Sequence, residues 1–412
     1  MSTVPSVQPV TPADSVVPSR MNNRLMWIMA VASGLSVANL YYIQPVLAEI
    51  GRTFHVSVNQ VGIVTTTAQI GFALGLLLIV PLGDIYNKRR LIVSMIVAVG
   101  ISLVAVALAP TFPILLVASL ALGLTTVIPQ MIVPFAAILA NDRERGRVVG
   151  TVMSGLLIGV LLARTVSGFI SEHLGWRAVY WIAAGMMILL AIVLRMTLPQ
   201  DRSQGKTLNY GQLLASLVDL ARSEPLLREV GLFGAMIFGA FNVFWVTLAF
   251  FLETPPYHYG SEVAGLFGLV GVAGALAASV IGKLADRMEA RRITGILLLI
   301  SLLCFGVLAL LGHWLWGLAI GVILLDLGVQ GAHVSNQTRI YRLDERIRNR
   351  ANTVYMVPYF IGGSIGSFLG AYSWSVAGWN GVCAAGALLI VIALGVYALN
   401  SRSRQRVSAS TN

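Results

Sequence analysis

Two ionisable residues stand inside apolar stretches that otherwise carry almost none: Arg164, within Leu161-Leu162-Ala163-Arg164-Thr165-Val166-Ser167-Gly168, and Asp326, which opens Asp326-Leu327-Gly328-Val329-Gln330-Gly331-Ala332-His333-Val334-Ser335-Asn336-Gln337. If those stretches cross a bilayer, a charge near its centre costs about 2.5–3.5 kcal/mol on insertion scales, which makes both residues functional candidates. Counted from the same outer end, Arg164 lies about 10 Å down and Asp326 about 15 Å down at 1.5 Å per residue. A neighbouring arginine favours a carboxylate, whereas burial without that partner favours the neutral acid. A conformational change that joined and separated the two would turn Asp326 from a paired anion into a proton carrier. The alternatives are a permanent buried ion pair or two unrelated groups each solvated by a cavity.

Asp326, Gln330, His333 and Gln337 are spaced i, i+4, i+7 and i+11, so a helix puts them on one face. A polar stripe on a membrane helix either lines a water-filled pathway or binds other helices. His333 has the one side chain of the set whose ordinary titration lies near neutral pH, and a satisfied core histidine is the competing reading. No Gly-x-x-x-x-Gly-Lys-Ser/Thr phosphate loop and no His-Glu-x-x-His pattern occurs, which excludes a visible ATP engine and metal catalysis. Cys304 and Cys383 both fall in apolar runs and read as small core residues. Neither a cofactor nor a metal is expected, and energy has to come from an ion gradient.

The elements that must position these residues are membrane helices. The chain has 412 residues, is 57% hydrophobic and only 11% charged, and its mean hydropathy is +0.82. A soluble domain carries about 25% charged residues, so a soluble enzyme is excluded. Leu25 to Leu47 reads as a retained span. Further apolar runs follow at roughly 58–82, 91–109, 113–140, 148–170, 178–198, 230–252, 260–284, 293–312, 314–338, 351–374 and 379–399. Twelve spans of about 20 residues leave only loops, tails and one linker.

Of the 28 Lys and Arg residues, 25 fall on one side of such an arrangement, which places both termini in the cytoplasm. That asymmetry also accounts for the net charge of +11 without nucleic acid, through loop topology and anionic lipid headgroups. The expected organisation is a disordered tail over 1–23, a six-helix bundle over 24–198, a cytoplasmic linker over 199–229, a second six-helix bundle over 230–400 and a tail over 401–412.

The two halves repeat. Val80-Pro81-Leu82-Gly83-Asp84-Ile85-Tyr86-Asn87-Lys88-Arg89-Arg90 and Gly282-Lys283-Leu284-Ala285-Asp286-Arg287-Met288-Glu289-Ala290-Arg291-Arg292 align at an offset of 202. Arg145-Gly146-Arg147 meets Arg348-Asn349-Arg350, Gly159 meets Gly362, and Gly175-Trp176 meets Gly378-Trp379, at an offset of 203. A drift of one residue over such a length indicates tandem duplication. The pairs Gly71/Gly75, Gly155/Gly159, Gly317/Gly321 and Gly366/Gly370 match the spacing of close helix contacts.

With the Gly-x-Leu-Ala-Asp-Arg-x-Gly-Arg-Arg type of loop after the eighth span, and a degenerate copy after the second, the chain from 24 to 400 resembles the major facilitator superfamily. The stretches around Arg164 and Asp326 are similar to bacterial arabinose-efflux and drug:proton antiporter permeases. Two positions depart from the antiporter pattern: Ser119 stands where the fourth span often carries an Arg, and Ala163-Arg164 with Ser167-Gly168 replace the fifth-span Gly-Pro and Gly-Gly.

The resemblance implies an all-α membrane protein with twelve transmembrane helices in two pseudo-symmetric bundles, alternating access, and a cavity formed by spans one, four, seven and ten. Candidate cavity residues are then Ser36, Asn39, Tyr42 and Gln44 in span one, Thr126 and Gln130 in span four, Asn242 and Trp245 in span seven, with Gln330 and Gln337 in span ten. It further implies cytoplasmic gate loops built on Asp84, Arg89, Arg90, Asp286, Arg287 and Arg291; positive-inside anchoring accounts for the arginines but not for the recurring Asp. The expected activity is proton-coupled efflux of a small drug-like or sugar-like molecule by a monomer in the bacterial inner membrane. Uptake or facilitated diffusion of a metabolite, or a transporter-like sensor, are the other readings.

Overall fold

Proline and polar caps set the helix starts along this apolar chain. Ser57 accepts a hydrogen bond from the Gln60 amide while the Gln60 side chain returns to the Ser57 amide, a reciprocal cap that opens the second span. Pro113, Pro129 and Pro225 stand in the first turns of three helices, where a missing N–H costs nothing. The computed structural model describes residues 21–141, 143–199, 210–285, 289–344 and 347–410.

Fourteen α-helices are present among the described residues. Span one is α1 (Asn23–Ala38) and α2 (Ile43–Phe54), separated by a turn. Span two is α3 (Val58–Leu78) and span three α4 (Lys88–Leu108). Span four is divided into α5 (Phe112–Thr125) and α6 (Pro129–Leu139). Spans five and six are α7 (Arg145–Leu174) and α8 (Trp176–Thr197), followed by the short α9 (Tyr210–Ser223). Spans seven to ten are α10 (Pro225–Glu253), α11 (Ser261–Ala285), α12 (Ala290–Leu311) and α13 (Leu315–Tyr341). The last helix, α14 (Arg348–Ser410), is interrupted by non-helical backbone at Ala377 and Gly378, so it supplies both spans eleven and twelve.

Three boundaries differ from the reading of the sequence. The seventh helix starts at Pro225, inside the tract read as linker, because Glu224-Pro225 is a helix start and not only a break. Span five continues to Leu174, which places Arg164 about 15 Å from that end, close to the roughly 16 Å of Asp326 from Leu315. Helical backbone also persists to Ser410, past the expected start of the tail.

Gly175 ends span five with φ +81° and Gly378 ends span eleven with φ +57°, a region in which a side chain is strained. The tryptophan after each turn is buried and anchored: Trp176 Nε1 donates to Thr53 Oγ1 at 3.0 Å and Trp379 Nε1 to the Leu308 carbonyl at 2.9 Å. The repeated Gly-Trp pair is thus a repeated helix reversal.

Within the first half α1 packs on α7, α3 on α5 and α4 on α8; within the second, α10 packs on α14, and α13 on both α11 and α12. The halves meet through α3 against α14 and α7 against α11. Glycine makes these approaches close. Gly155 and Gly159 lie on Ala30 and Gly34, Gly71 and Gly75 on Leu120 and Leu124, Gly366 and Gly370 on Gly239 and Val243, and Gly317 and Gly321 on Leu311 and Leu308. Large apolar side chains such as Ile101, Val117, Ile188 and Leu310 point outward, exposed by more than half, as a hydrocarbon-facing belt requires.

The duplication is visible in packing. Gly71 sits on Leu120 and Leu124, and Gly274, 203 positions later, sits on Ile323 and Leu327, also 203 positions later. Across the halves, Gly62 touches Ala371 and Gly265 touches Gly168, again the same pair displaced by 203 with the roles of the halves exchanged.

Candidate functional site

Arg164 and Asp326 break this repeat. Gly123 on α5 packs on the backbone of Ala68 and Phe72, leaving no room for a side chain. At the equivalent place in the second half stands Asp326, and the partner position, Ala68 in the first half, is Gly271. A Cβ at Gly271 would lie 2.9 Å from Oδ2 of Asp326, so the missing methyl makes the space that the carboxyl fills. Arg164 in turn replaces the equivalent of Ser367. Its Cβ lies against Gly268 and its carbonyl against Gly265, so α11 packs against both charged residues.

Both side chains are fully buried. The Nε of Arg164 donates to Gln44 Oε1 at 2.6 Å. Its guanidinium carbon lies 3.9 Å from the ring centre of Trp245, 5.1 Å from Tyr41 and 5.3 Å from Phe241. Nη1 and Nη2 of Arg164 and both carboxyl oxygens of Asp326 have no hydrogen-bond partner. The two groups are within electrostatic reach of one another, yet no ion pair joins them among the described residues. The permanent salt bridge weighed from the sequence is absent from this conformation, as is solvation by an open cavity.

Beside this pair lies a neutral polar group. Gln69 Nε2 donates to Asn242 Oδ1 at 2.5 Å and to Ser367 Oγ at 3.4 Å, linking spans two, seven and eleven across the halves. Asn242 is held by its own helix through Phe238 at 2.8 Å. A further aromatic wall forms where Phe238 stacks on Tyr359 at 4.1 Å and Phe72 meets Phe360 at 4.2 Å.

Other candidates go elsewhere. Asn39 donates to the carbonyls of Leu35 and Ser36 and to Met187 Sδ, which uses it to pack span one on span six. Tyr42 faces a lipid-side groove with Trp27, Gly34 and Gly159, and Tyr41 takes the place beside Arg164. The turn between α1 and α2 shifts the helical phase at these positions, which helical counting cannot anticipate. Thr126 donates to Leu122 at the break in span four. His333 Nδ1 shares a hydrogen bond with the Tyr355 hydroxyl at 3.0 Å, so a span-eleven tyrosine satisfies it. Gln330 and Gln337 are half-buried along α13, below the fully buried Asp326.

At the end of the molecule that carries Arg52, the halves are closed. Arg52 Nη1 pairs with Glu253 at 2.7 Å and Glu172 accepts from the Ser261 amide at 2.9 Å and hydroxyl at 3.1 Å, while deeper along the same seam Thr165 donates to the Gly265 carbonyl at 2.9 Å. At the opposite end a partly open cleft of about 130 Å³ runs between the halves. Gln130, Met131, Lys88, Leu213, Arg350 and Met356 are among its walls, so α9 forms one side of the entrance.

Of the gate residues, Arg89 donates to the Arg195 carbonyl and the Arg90 amide to Asn87. Asp286 and Arg287 lie outside the described residues, as does the side chain of Asp84. Arg291 is buried: it pairs with Glu229 at 2.8 Å and lies over the Tyr397 ring at 4.7 Å, while Arg339 pairs with the same carboxylate at 3.4 Å. Glu229 was hidden because it sits in the tract read as linker, and Arg339 because it was counted among loop charges. Gln69 was missed because span two lies outside the expected cavity set. Among the described residues no cluster of three or more His, Cys, Asp or Glu could hold a metal.

The profile of the Major Facilitator Superfamily matches residues 26–343. The uncharacterized transporter YgaY of Escherichia coli O157:H7 is 44% identical over 382 residues, covering 90% of this chain and 94% of its own. The inner membrane transport protein YnfM of Escherichia coli K12 is 26% identical over 379 residues, covering 88% and 87%. In fold, a bacterial homologue of the human lysosomal transporter Spinster, solved inward-facing and occupied, superposes with a TM-score of 0.73 at 17% identity, covering 92% of this chain and 96% of the other. Twelve spans in a duplicated arrangement, closed at one end and open at the other, together with that profile, place this multi-pass membrane transporter in its family: the chain belongs to the major facilitator superfamily.

Proposed function

We propose that the chain exports a small organic molecule in exchange for protons, by alternating access, as a monomer in the bacterial inner membrane with both termini cytoplasmic. The observation that carries this reading is the pair of fully buried, oppositely charged side chains, Arg164 and Asp326, that do not meet. Leaving ionised groups uncompensated in a low-dielectric interior costs several kcal/mol each, so this conformation favours a proton or a ligand as a third party. The pair also straddles α7 against α11, one of the two contacts between the halves. Rocking the halves slides these helices past one another and changes the distance between the charges. Asp326 then binds and releases its proton on opposite sides of the membrane, while the closed end bearing Arg52 and Glu253 is the outer gate and the cleft at Gln130 the inner path.

The test needs no substrate. Spin labels at His173→Cys and His313→Cys, both exposed at the outer end of different halves, are introduced with Cys304→Ala and Cys383→Ala. The distance distribution is expected to redistribute between pH 5.5 and pH 8, and Asp326→Asn is expected to hold one distribution at both. A distribution that ignores pH in the protein with Asp326 intact overturns proton coupling.

A further inference from the structure

The two unpaired charges do more than suit a proton; they specify the polarity of what lies between them. The Arg164 plane is fixed on three sides, by Gln44 at Nε, by the Trp245 face at 3.9 Å and by Tyr41 at 5.1 Å. What remains is the far edge, Nη1 and Nη2, both without a partner, which is the two-pronged donor that a carboxylate fits. The Asp326 carboxyl, held against Gly271, has both oxygens unbonded and suits an ammonium. Each head lies within the electrostatic reach of the other.

A singly charged ligand is therefore poorly matched. A plain carboxylate on Arg164 sits in the repulsive field of Asp326, and a plain amine on Asp326 sits in that of Arg164. A molecule with both charges satisfies both heads and leaves the buried site neutral before and after binding. The aromatic side chains Trp245, Phe241 and Tyr41 around Arg164 make an apolar surround for the rest of the molecule, and the Trp245 indole N–H, also unbonded, offers one more donor.

We infer that the substrate class is a zwitterion with an apolar body, of the α-amino-acid type, its carboxylate on the Arg164 fork and its ammonium on Asp326. The inference rests on the transporter reading above and deepens it, because the ligand's ammonium and the proton then compete for one carboxylate, which is what exchange requires.

The experiment titrates the detergent-purified full chain with four probes of the same body, read by tryptophan fluorescence: L-phenylalanine, its amide (cation only), its N-acetyl derivative (anion only) and the N-acetyl amide (neutral). Phenylalanine is expected to bind at least tenfold more tightly than any blocked form, which equals about 1.4 kcal/mol. Asp326→Asn is expected to erase the preference over the N-acetyl derivative and keep that over the amide; Arg164→Gln is expected to do the reverse. Each variant removes a buried charge and can lose its fold, so the unmutated protein's own series decides on its own. A blocked form that binds as tightly as phenylalanine, or no binding by any probe up to its solubility limit, overturns the inference. If that happens while the pH-driven change in label distance persists, only the substrate class falls; if the distance change is absent, proton coupling falls whatever binds.

Discussion

Arg164 depends on Gln44 for the only hydrogen bond its guanidinium makes, a buried bond to a charged donor. Hydrogen bonds of that kind contribute about 1.5–3 kcal/mol, so Gln44→Ala is expected to lower stability by roughly that amount in denaturation of the detergent-solubilised protein. Gln44→Glu, which supplies a second anion to the guanidinium, is expected to lose less. At the end that carries Arg52, burial and the neighbouring Tyr259 push the Tyr257 phenol up to about 12, and its hydroxyl donates to the Gly312 carbonyl at 2.7 Å. A phenol raised in the fold binds its proton more tightly there than in the unfolded chain. Its contribution is complete below the ordinary value of about 10 and disappears as pH rises from there to about 12. Thermal stability of the parent is expected to fall over that alkaline window more steeply than that of Tyr257→Phe. Equal slopes would mean that the phenol contributes nothing.

Among the helices, the contrast between Gly123 and Gly271 is informative because the two stand on opposite sides of equivalent contacts. A methyl at Gly123 meets the carbonyl and backbone of Ala68, which cannot move without separating α5 from α3. Overpacking of that sort costs about 1–3 kcal/mol, so Gly123→Ala is expected to lower the melting temperature clearly. A methyl at Gly271 meets first the end of the Asp326 side chain. Gly271→Ala is expected to leave the melting temperature close to that of the parent while displacing the carboxyl and weakening phenylalanine binding and pH response. If the two substitutions affect stability alike, the space at Gly271 is a packing feature and not a seat for the acid.

For the whole molecule the question is which end is open. Arg52 and Glu253 join the halves at one end, with side chains 63% and 28% exposed, so the pair is worth about 0.2–1 kcal/mol. That is negligible for folding and appreciable for an equilibrium between two similar conformations. Arg52→Glu is expected to raise the open fraction at this end severalfold in the spin-label measurement, and adding Glu253→Arg is expected to restore the closed distribution. At the other end Arg291 and Arg339 share the buried Glu229. This contact joins spans seven, nine and ten inside one half, so it stiffens that half as a rocking body.

The membrane class, the number of spans, the duplication and the two charges inside apolar runs were all legible in the sequence, because each is a one-dimensional property. A bilayer imposes a minimum apolar length, duplication leaves a fixed offset, and a charge inside an apolar run is conspicuous without any partner. Which groups meet was not legible. Tyr41 replaces Tyr42 because a turn changes the helical phase; Gln69 enters the core because span two crosses to span eleven; Glu229 becomes a buried ion-pair centre because helix α10 begins earlier than hydropathy indicates. Only the tertiary structure shows that Asp326 occupies a place where the other half has a glycine, that Gly271 opens the room for it, and that Arg164 points its free edge at no partner. Those facts depend on helix rotation and separation to within an ångström, and neither is encoded in the spacing of residues along one chain.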